Sequence, residues 1–287
     1  GKVQLACPRF PERSSIRISI QRTNSFLNFL RESSPYTSML HGEKQMRYID
    51  TDLCSVRLRG KVIQPSKKKI LIARISGSEQ EKDLSVPVNC RGYGRIKHFR
   101  MDQCNDWCPN PLPNLPAAKA LGQAPDAVSH AQTFQLAACN WNCWYCYVDW
   151  SRRCANPRSS RYFTAGELID MFLEEKSQIQ VIYLSGGQPD LAPEWIIWTM
   201  EALEERGLDG KIFLWSDSNL SNGYFWKFLT RKNREYIASF RNYSRVNCFK
   251  GYDERSFSFN TSAHPSYFTR QFEVFERLLH EGLDMYA

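Results

Sequence analysis

Five short apolar segments recur along the second half of the chain, separated by segments with helix signals. They begin at residues 134, 179, 211, 245 and 283, so successive segments start 32 to 45 residues apart. This spacing is typical of a strand, a crossover helix and a parallel strand. The pattern predicts a parallel sheet, closed as a barrel or open, whose functional residues follow the carboxyl ends of the strands. The predicted strands are Phe134–Ala138, Ile179–Leu184, Lys211–Trp215, Arg245–Phe249 and Leu283–Ala287.

Helix signals lie between these strands. The segment Thr164-Ala165-Gly166-Glu167 is a capping box and predicts a helix start. Pro193 begins the next helix and Gly207 follows its end. A further helix begins near Tyr224. The last predicted helix ends at Gly282 and has an apolar face formed by Phe268, Phe272, Phe275 and Leu279. Because no helix signal follows the fifth strand, we expect an incomplete barrel, or one that another chain completes.

The first part of the chain lacks this regular alternation of strand and helix signals. Residues 1–108 are irregular and basic, and a proline-rich segment predicts a linker or extended loop at about 109–130. Residues 131–287 form the predicted core. Within the first part, Val56–Arg59 and Ile70–Ala73 predict a β-hairpin or two edge strands. Residues 53–78 contain seven Lys or Arg and no acid, which fits either a solvated strand face or a surface for a polyanion.

Composition limits the class of protein. No apolar run approaches the roughly 20 residues of a membrane span, and no secretory signal is visible, so we expect a cytoplasmic protein without a membrane partner. The net charge of +8 favours an anionic substrate or surface. Ten cysteines in 287 residues are too sparse for a secreted disulfide scaffold and favour metal binding or redox chemistry.

A cysteine triplet directly follows the first predicted strand. Cys139, Cys143 and Cys146 have the spacing C-x3-C-x2-C. Three thiolates on one loop can bind three irons of a cubic cluster and leave the fourth iron open for chemistry. A zinc knuckle or a structural cluster is the alternative, although zinc requires a fourth ligand and histidines are scarce in this chain.

The triplet, with an aromatic residue before its third cysteine, resembles the signature of the radical S-adenosylmethionine enzymes. The resemblance implies a [4Fe-4S] cluster whose open iron binds the amino and carboxylate groups of S-adenosylmethionine. One electron then cleaves the sulfur–C5′ bond, and the resulting 5′-deoxyadenosyl radical abstracts hydrogen from a substrate. It also implies that Tyr145 packs near adenine and that a flavodoxin or ferredoxin donates the electron.

Segments after the next three strands strengthen the resemblance. Gly186, Gly187, Gln188 and Pro189 resemble the family's G-G-E-P, which binds the methionine amino group through its backbone, with glutamine in place of glutamate. Asp217, Ser218 and Asn219 resemble D-T-N of the pyruvate formate-lyase activating enzyme group. In its motif pattern the chain is similar to this group and to the carboxy-deazaguanine synthase-like enzymes. Lys250 matches the lysine of that group's D-x-K and implies a contact with the methionine carboxylate, whereas Cys248 replaces the aspartate.

A second cysteine group precedes the core. Cys90, Cys104 and Cys108 could hold an auxiliary iron–sulfur cluster or zinc, with unpaired buried thiols as the alternative. No catalytic residue is identified.

We therefore expect an α/β fold, a parallel (βα) partial TIM-type barrel incomplete at its C-terminus, with an irregular α+β N-terminal extension. The favoured function is hydrogen abstraction from a small molecule or peptide. The alternatives are an activating enzyme that makes a glycyl radical on a partner protein, and a non-catalytic metal-binding module for nucleic acid.

Overall fold

A computed structural model describes residues 48–98 and 112–287 of the chain. We number the elements within these ranges in chain order. The strands are β1 (Ile63–Gln64), β2 (Lys69–Ala73), β3 (Gly94–His98), β4 (His130–Gln135), β5 (Ser160–Thr164), β6 (Val181–Ser185), β7 (Phe213–Ser218), β8 (Tyr243–Asn247) and β9 (Met285–Tyr286). The helices are α1 (Thr51–Val62), α2 (Glu79–Lys82), α3 (Asn114–Leu121), α4 (Ala165–Glu174), α5 (Glu194–Glu204), α6 (Tyr224–Phe228), α7 (Arg231–Ser239), α8 (Glu254–Thr261) and α9 (Arg270–His280).

The main sheet has the order β3-β4-β6-β7-β8-β9. The last five of these strands are parallel, and β3 pairs with β4 in the antiparallel direction. These five are the predicted strands, shifted by a few residues, so the parallel α/β sheet is confirmed. Within the described ranges no pairing joins β3 to β9, and the partial-barrel form stays a prediction.

The helices α4 and α5 cover one face of this sheet. Ile182, Leu184 and Leu214 of the central strands are buried in the same core as Leu168 of α4 and Ile196 of α5. Burying each such side chain stabilises the fold by about 1.5–3 kcal/mol. The predicted capping box is present, because Thr164 Oγ1 accepts from the Glu167 N–H and Glu167 accepts from the Thr164 N–H.

The opposite face of the main sheet packs on helix α3. Val181, Tyr183 and Phe213 of this face pack with Ala117 and Ala118 of α3. The helix α3 lies inside the segment predicted as an extended loop, so that prediction is wrong for residues 114–121. The prolines are tolerated because they precede the helix or occupy its first turn, where the backbone N–H has no helical partner.

The prediction of a strand at Val56–Arg59 is also wrong, because these residues lie in α1. Asp50 begins the helix by accepting from the Leu53 N–H at 2.9 Å. The alternation of apolar and basic residues at 56–59 does not mark a buried strand face here. The buried residues of the helix are Thr51, Ser55 and Val62, two of which are polar. The second predicted strand, Ile70–Ala73, is present within β2, but it pairs with β1, which the sequence did not predict.

A small antiparallel sheet joins this hairpin to the core. Its order is β1-β2-β5, and β2 pairs with both neighbours. Val62, Ile70 and Ile72 share one buried core with Leu136 and Leu168. Strands β3 and β5 and helix α8 were not predicted from the sequence. The predicted domain boundaries at 108 and 131 stay predictions.

The basic stretch at 53–78 packs beside acidic helices. Three of its cations pair with glutamates of α4 and α5, at N–O distances of 2.5, 2.7 and 3.6 Å: Arg59 with Glu194, Lys68 with Glu201 and Lys69 with Glu167. The three cations are therefore paired with carboxylates of the same chain, which leaves less unpaired positive charge on this stretch for a polyanion. In residues 48–98 and 112–287, none of the helices has the length and apolar character needed to cross a lipid bilayer.

Candidate active site

The three cysteines of the triplet lie on the loop that follows β4. Cys139, Cys143 and Cys146 line one pocket at the carboxyl ends of the parallel strands. The loop is anchored on α8, because the Asn142 N–H donates to the Thr261 carbonyl at 2.9 Å. The Cys146 N–H donates to the Cys143 carbonyl at 3.1 Å and closes a tight turn between these two cysteines.

The helix α1 also holds this loop, through side chains that the sequence did not reveal. Asn140 is fully buried, and its Nδ2 donates to Ser55 Oγ at 2.8 Å and to Ser221 Oγ at 2.7 Å. The neighbouring Trp141 donates from Nε1 to Thr51 Oγ1 at 2.9 Å. Two residues of α1 therefore fix the segment between the first and second cysteines.

The thiols of the triplet fit a positively charged metal cluster. Burial and, to a smaller extent, the neighbouring Cys143 together raise the pKa of Cys139 to about 12. Burial also raises the pKa of Cys143. Because iron binds the thiolate, a bound cluster would offset the penalty of burying these charges.

The arrangement of the thiols also bears on which metal group they fit. In a [4Fe-4S] cube each thiolate binds a different iron, so the three sulfurs surround the cluster rather than meet at one ion. Within the described ranges, no group of three Cys, His, Asp or Glu side chains could hold a single metal ion. The three thiols on one pocket wall are compatible with the cube.

The double glycine after β6 lets its loop lie against the end of β4. Gly186 and Gly187 have φ values of +65° and +38°, which favour glycine. A Cβ added to Gly187 would overlap the carbonyl oxygen of Ala138 and lie 2.6 Å from that of Leu136. The Gln188 N–H donates to the Ala138 carbonyl at 2.7 Å. The glycines thus bring this loop next to the first cysteine.

Asp217, at the end of β7, also lines the pocket. Its Oδ2 accepts from Ser185 Oγ at 2.7 Å and from the Tyr183 hydroxyl at 3.1 Å. Burial raises the pKa of Asp217, while the two hydroxyls and the cations Lys97 and Lys250 oppose that rise. The carboxylate is therefore held in a buried, hydroxyl-rich setting.

Asn219 connects the same strand end to the cysteine loop. Its Nδ2 donates to Asn140 Oδ1 at 3.1 Å and lies 3.9 Å from Cys139 Sγ. Its backbone N–H donates to Gln188 Oε1 at 2.9 Å. One asparagine therefore touches the cysteine loop and the glycine loop.

Lys250, after β8, also lines the pocket. Its Nζ lies 5.5 Å from the centroid of the Tyr145 ring. Burial lowers the pKa of Lys250, but the anionic forms of Cys248, Tyr145 and Cys143 raise it more, so the net shift is upward. Lys250 is a fixed cation facing the cysteines.

A buried network links three strand ends behind the pocket. Gln188 Nε2 donates to Ser218 Oγ at 3.4 Å, and Ser218 Oγ donates to Asp190 Oδ2 at 2.6 Å. Arg245 of β8 is fully buried and donates from Nη2 to the same Asp190 oxygen at 2.6 Å. The sequence did not identify Asp190 or Arg245, because their side chains meet across 55 residues.

The pocket thus brings together the predicted binding residues from four strand ends. Pro189 alone lies apart from it, buried in a single 3-10 turn. The lining residues that were not predicted as site residues are Tyr147, Val148, Arg153 and Cys248. The predicted residues on the wall are Cys139, Cys143, Tyr145, Cys146, Gly186, Gly187, Gln188, Asp217, Ser218, Asn219 and Lys250.

The second cysteine group is only partly described. Cys90 is buried, and burial raises its pKa to about 12. Its backbone N–H donates to Glu175 Oε1 at 2.6 Å. Cys104 and Cys108 lie outside the described residues, so a second cluster or zinc site stays a prediction.

Residues 136–249 match the Radical SAM superfamily. The match covers less than half of the chain; it contains the cysteine loop, the glycine loop and the end of β7, and it stops one residue before Lys250. It supports the general function of that superfamily, an enzyme that uses an iron–sulfur cluster and S-adenosylmethionine.

The match is to the superfamily as a whole. The closer resemblance to the pyruvate formate-lyase activating enzyme group therefore stays a prediction. Comparison with curated proteins gave no match.

Proposed function

We propose that this chain binds a [4Fe-4S] cluster and S-adenosylmethionine in the pocket and abstracts hydrogen from a small-molecule or peptide substrate. One observation carries the proposal. The three thiols of one loop line the same pocket as the double glycine, Asp217–Asn219 and Lys250, although these segments are separated by up to about a hundred residues of sequence.

Cys139, Cys143 and Cys146 are the proposed cluster ligands. When bound, the cluster supplies one electron for reductive cleavage of S-adenosylmethionine, which yields the 5′-deoxyadenosyl radical. The protein places the thiols on a loop fixed from α1 and α8, so their positions depend on contacts outside the loop. We infer that an exchangeable donor such as flavodoxin or ferredoxin supplies the electron.

The remaining wall of the pocket suits the cosubstrate. Lys250 offers a positive charge to the methionine carboxylate, and as an ammonium it acts as a compact point charge. Gly186 and Gly187 expose backbone without Cβ atoms, so a ligand can approach closely. Tyr145 is half-exposed beside Lys250, where its ring can pack on adenine.

Anaerobic reconstitution tests the proposal directly. The full chain is loaded with iron and sulfide, reduced with dithionite and supplied with S-adenosylmethionine, and 5′-deoxyadenosine is measured. Cys143→Ala should abolish this product. Cys54→Ala is the matched control, because Cys54 is a half-buried free thiol on α1 outside the pocket lining, and this variant should retain the product.

Two outcomes contradict the proposal. One is 5′-deoxyadenosine formation that persists in Cys143→Ala. The other is wild-type protein that holds a single zinc ion at the triplet and yields no electron paramagnetic resonance signal of a reduced cluster.

A further inference from the structure

Arg153 is a residue of the pocket wall that none of the sequence motifs accounts for. It follows the cysteine triplet along the chain, and its side chain lines the same pocket as Cys139 and Cys143. Only 8% of its surface is exposed. Arginines are rarely buried to this extent unless their charge is paired. The contacts of Arg153 therefore indicate what its buried charge does.

The backbone fixes Arg153 beside the first cysteine. The Cys139 N–H donates to the Arg153 carbonyl at 2.8 Å. Ala138 and Cys154 form an antiparallel bridge, so the two segments run side by side. The Arg153 N–H donates to the Trp150 carbonyl at 3.1 Å and closes a turn. The position of the arginine is therefore coupled to that of the first proposed cluster ligand.

The guanidinium has neutral partners in the part of the chain that the structure describes. Its Nη1 donates to the Trp141 carbonyl at 3.4 Å, and its Cζ lies 4.9 Å from the centroid of the Trp150 ring. Its Nε is buried and has no hydrogen-bond partner among residues 48–98 and 112–287. No carboxylate of these ranges forms an ion pair with it. A long hydrogen bond to a carbonyl and an aromatic ring leave the buried charge without a counter-ion.

The proposed ligand thiolates are anions on which Arg153 acts. Its positive charge favours the thiolate forms of Cys139 and Cys143, so it lowers the pKa of both against the larger opposing effect of burial. Lys250 also acts on Cys143, but Lys250 interacts with Asp217 and is assigned to the methionine carboxylate. Arg153 is thus a buried cation that acts on the first two cysteines.

We infer that Arg153 is a counter-charge of the bound cluster and raises its reduction potential. The inference rests on the proposed function, because it requires the cluster at the triplet. A [4Fe-4S] core held by three thiolates has a net negative charge, and reduction makes that charge more negative. A fixed buried cation therefore stabilises the reduced form more than the oxidised form. Arg153 acts on the reaction through the cluster, by favouring transfer of the electron from the donor.

Potentiometric titration of the reconstituted full chain tests this role. The protein is loaded with iron and sulfide, and the electron paramagnetic resonance signal of the reduced cluster is followed as the solution potential is lowered without S-adenosylmethionine. Arg153→Gln removes the charge but keeps an amide donor for the Trp141 carbonyl. We expect the equilibrium constant for one-electron reduction to fall at least about tenfold, which corresponds to a midpoint potential about 59 mV lower.

Two further variants separate the charge of Arg153 from its packing. Arg153→Lys retains the positive charge without the planar guanidinium, so its midpoint should stay closer to that of wild type than to that of Arg153→Gln. Arg158→Gln removes an exposed cation of the same segment and should have the wild-type midpoint. A purely structural arginine predicts a different pattern, because both Arg153 variants lose its packing and would shift alike.

The outcomes either support or overturn the counter-charge. Loss of the cluster in Arg153→Gln but not in Arg153→Lys supports it, as does the expected order of midpoints. A wild-type midpoint in Arg153→Gln, or equal shifts in both Arg153 variants, overturns it. If the wild-type midpoint in Arg153→Gln comes with at least tenfold weaker binding of S-adenosylmethionine, the guanidinium serves the cosubstrate instead.

Failure of the proposed function gives a distinct result. Wild-type protein would then show no signal of a reduced cluster at any potential, and both the proposed function and the counter-charge would be wrong. If the wild-type cluster is reduced and the Arg153 variants do not differ from it, only the counter-charge is wrong.

Discussion

Ser218 Oγ donates a 2.6 Å hydrogen bond to Asp190 Oδ2, and this bond determines which side chain fits at position 188. The serine has one hydroxyl proton, and it donates this proton in the hydrogen bond to Asp190. Residue 188 must therefore donate to Ser218, as Gln188 Nε2 does at 3.4 Å, while its other end accepts from the Asn219 N–H. An amide satisfies both partners, whereas a carboxylate offers no donor. The geometry accounts for glutamine where the similar G-G-E-P motif has glutamate.

Gln188→Glu should weaken binding of S-adenosylmethionine. The change removes one of the two donors to Ser218 Oγ, leaving the Leu220 N–H, and adds a negative charge to a buried site that already contains Asp190. Each unfavourable contact costs about 1–3 kcal/mol, so we expect the Kd to rise about tenfold or more. The measurement is a titration of the cosubstrate-induced change in the electron paramagnetic resonance spectrum of the reduced cluster. Gln178→Glu makes the same chemical change at an exposed position and should bind normally; a normal Kd in Gln188→Glu would refute the argument.

Much of the fold could be predicted because its signals are local. The capping box at Thr164, the proline before α5 and the apolar runs of the five parallel strands each occupy one short segment. The order of the motifs along the chain then places them at neighbouring strand ends, since parallel strands present their carboxyl ends on one edge. That is why the predicted binding residues, Pro189 apart, lie on one wall.

The remainder could not be predicted because it depends on contacts between distant segments. Asn140 meets Ser55 across 85 residues, and Arg95 meets Tyr147 across 52 residues. No local pattern marks such pairs, and α1 lacks an apolar stripe because the face towards the cysteine loop contains Thr51 and Ser55. The pairing of β3 beside β4 likewise follows from the fold rather than from its own sequence.

Gly187→Ala should displace the glycine loop. The added Cβ overlaps the carbonyl oxygens at the end of β4, so the loop must move away from Cys139. We expect at least about tenfold weaker binding of S-adenosylmethionine, since a cost of 1.4 kcal/mol is tenfold in affinity. Gly207→Ala is the control: Gly207 also has a positive φ, of +61°, but no atom lies within 4 Å of the new Cβ. Equal binding by the two variants would show that the overlap is relieved without moving the loop.

Ser55→Ala should loosen the cysteine loop. It removes an acceptor of the buried Asn140 Nδ2, and a buried N–H without a partner costs about 1–3 kcal/mol. Because Asn140 follows the first cysteine, we expect the reconstituted cluster to be lost to a chelator several times faster than in wild type. Ser239→Ala removes an exposed serine hydroxyl on α7 and serves as the control. Identical rates of iron release in wild type and Ser55→Ala would contradict a positioning role for α1.

Lys97→Met should change stability in a pH-dependent way. Burial, with a smaller contribution from Arg95 and against the opposing effect of Asp217, lowers the pKa of Lys97 from 10.5 to about 8. Between pH 8 and pH 10.5, Lys97 is protonated in the unfolded chain but has lost its proton in the folded chain. Because the unfolded state then binds more protons, the free energy of unfolding of wild type increases as the pH rises through this range. Below pH 8 wild type retains the full penalty of a buried charge. The stability of Lys97→Met relative to wild type, from urea unfolding in buffers without phosphate, should therefore be highest below pH 8 and fall towards pH 10.5. Lys232→Met, at an exposed position, should give a flat difference; a flat difference for Lys97→Met as well would mean that the ammonium is not buried.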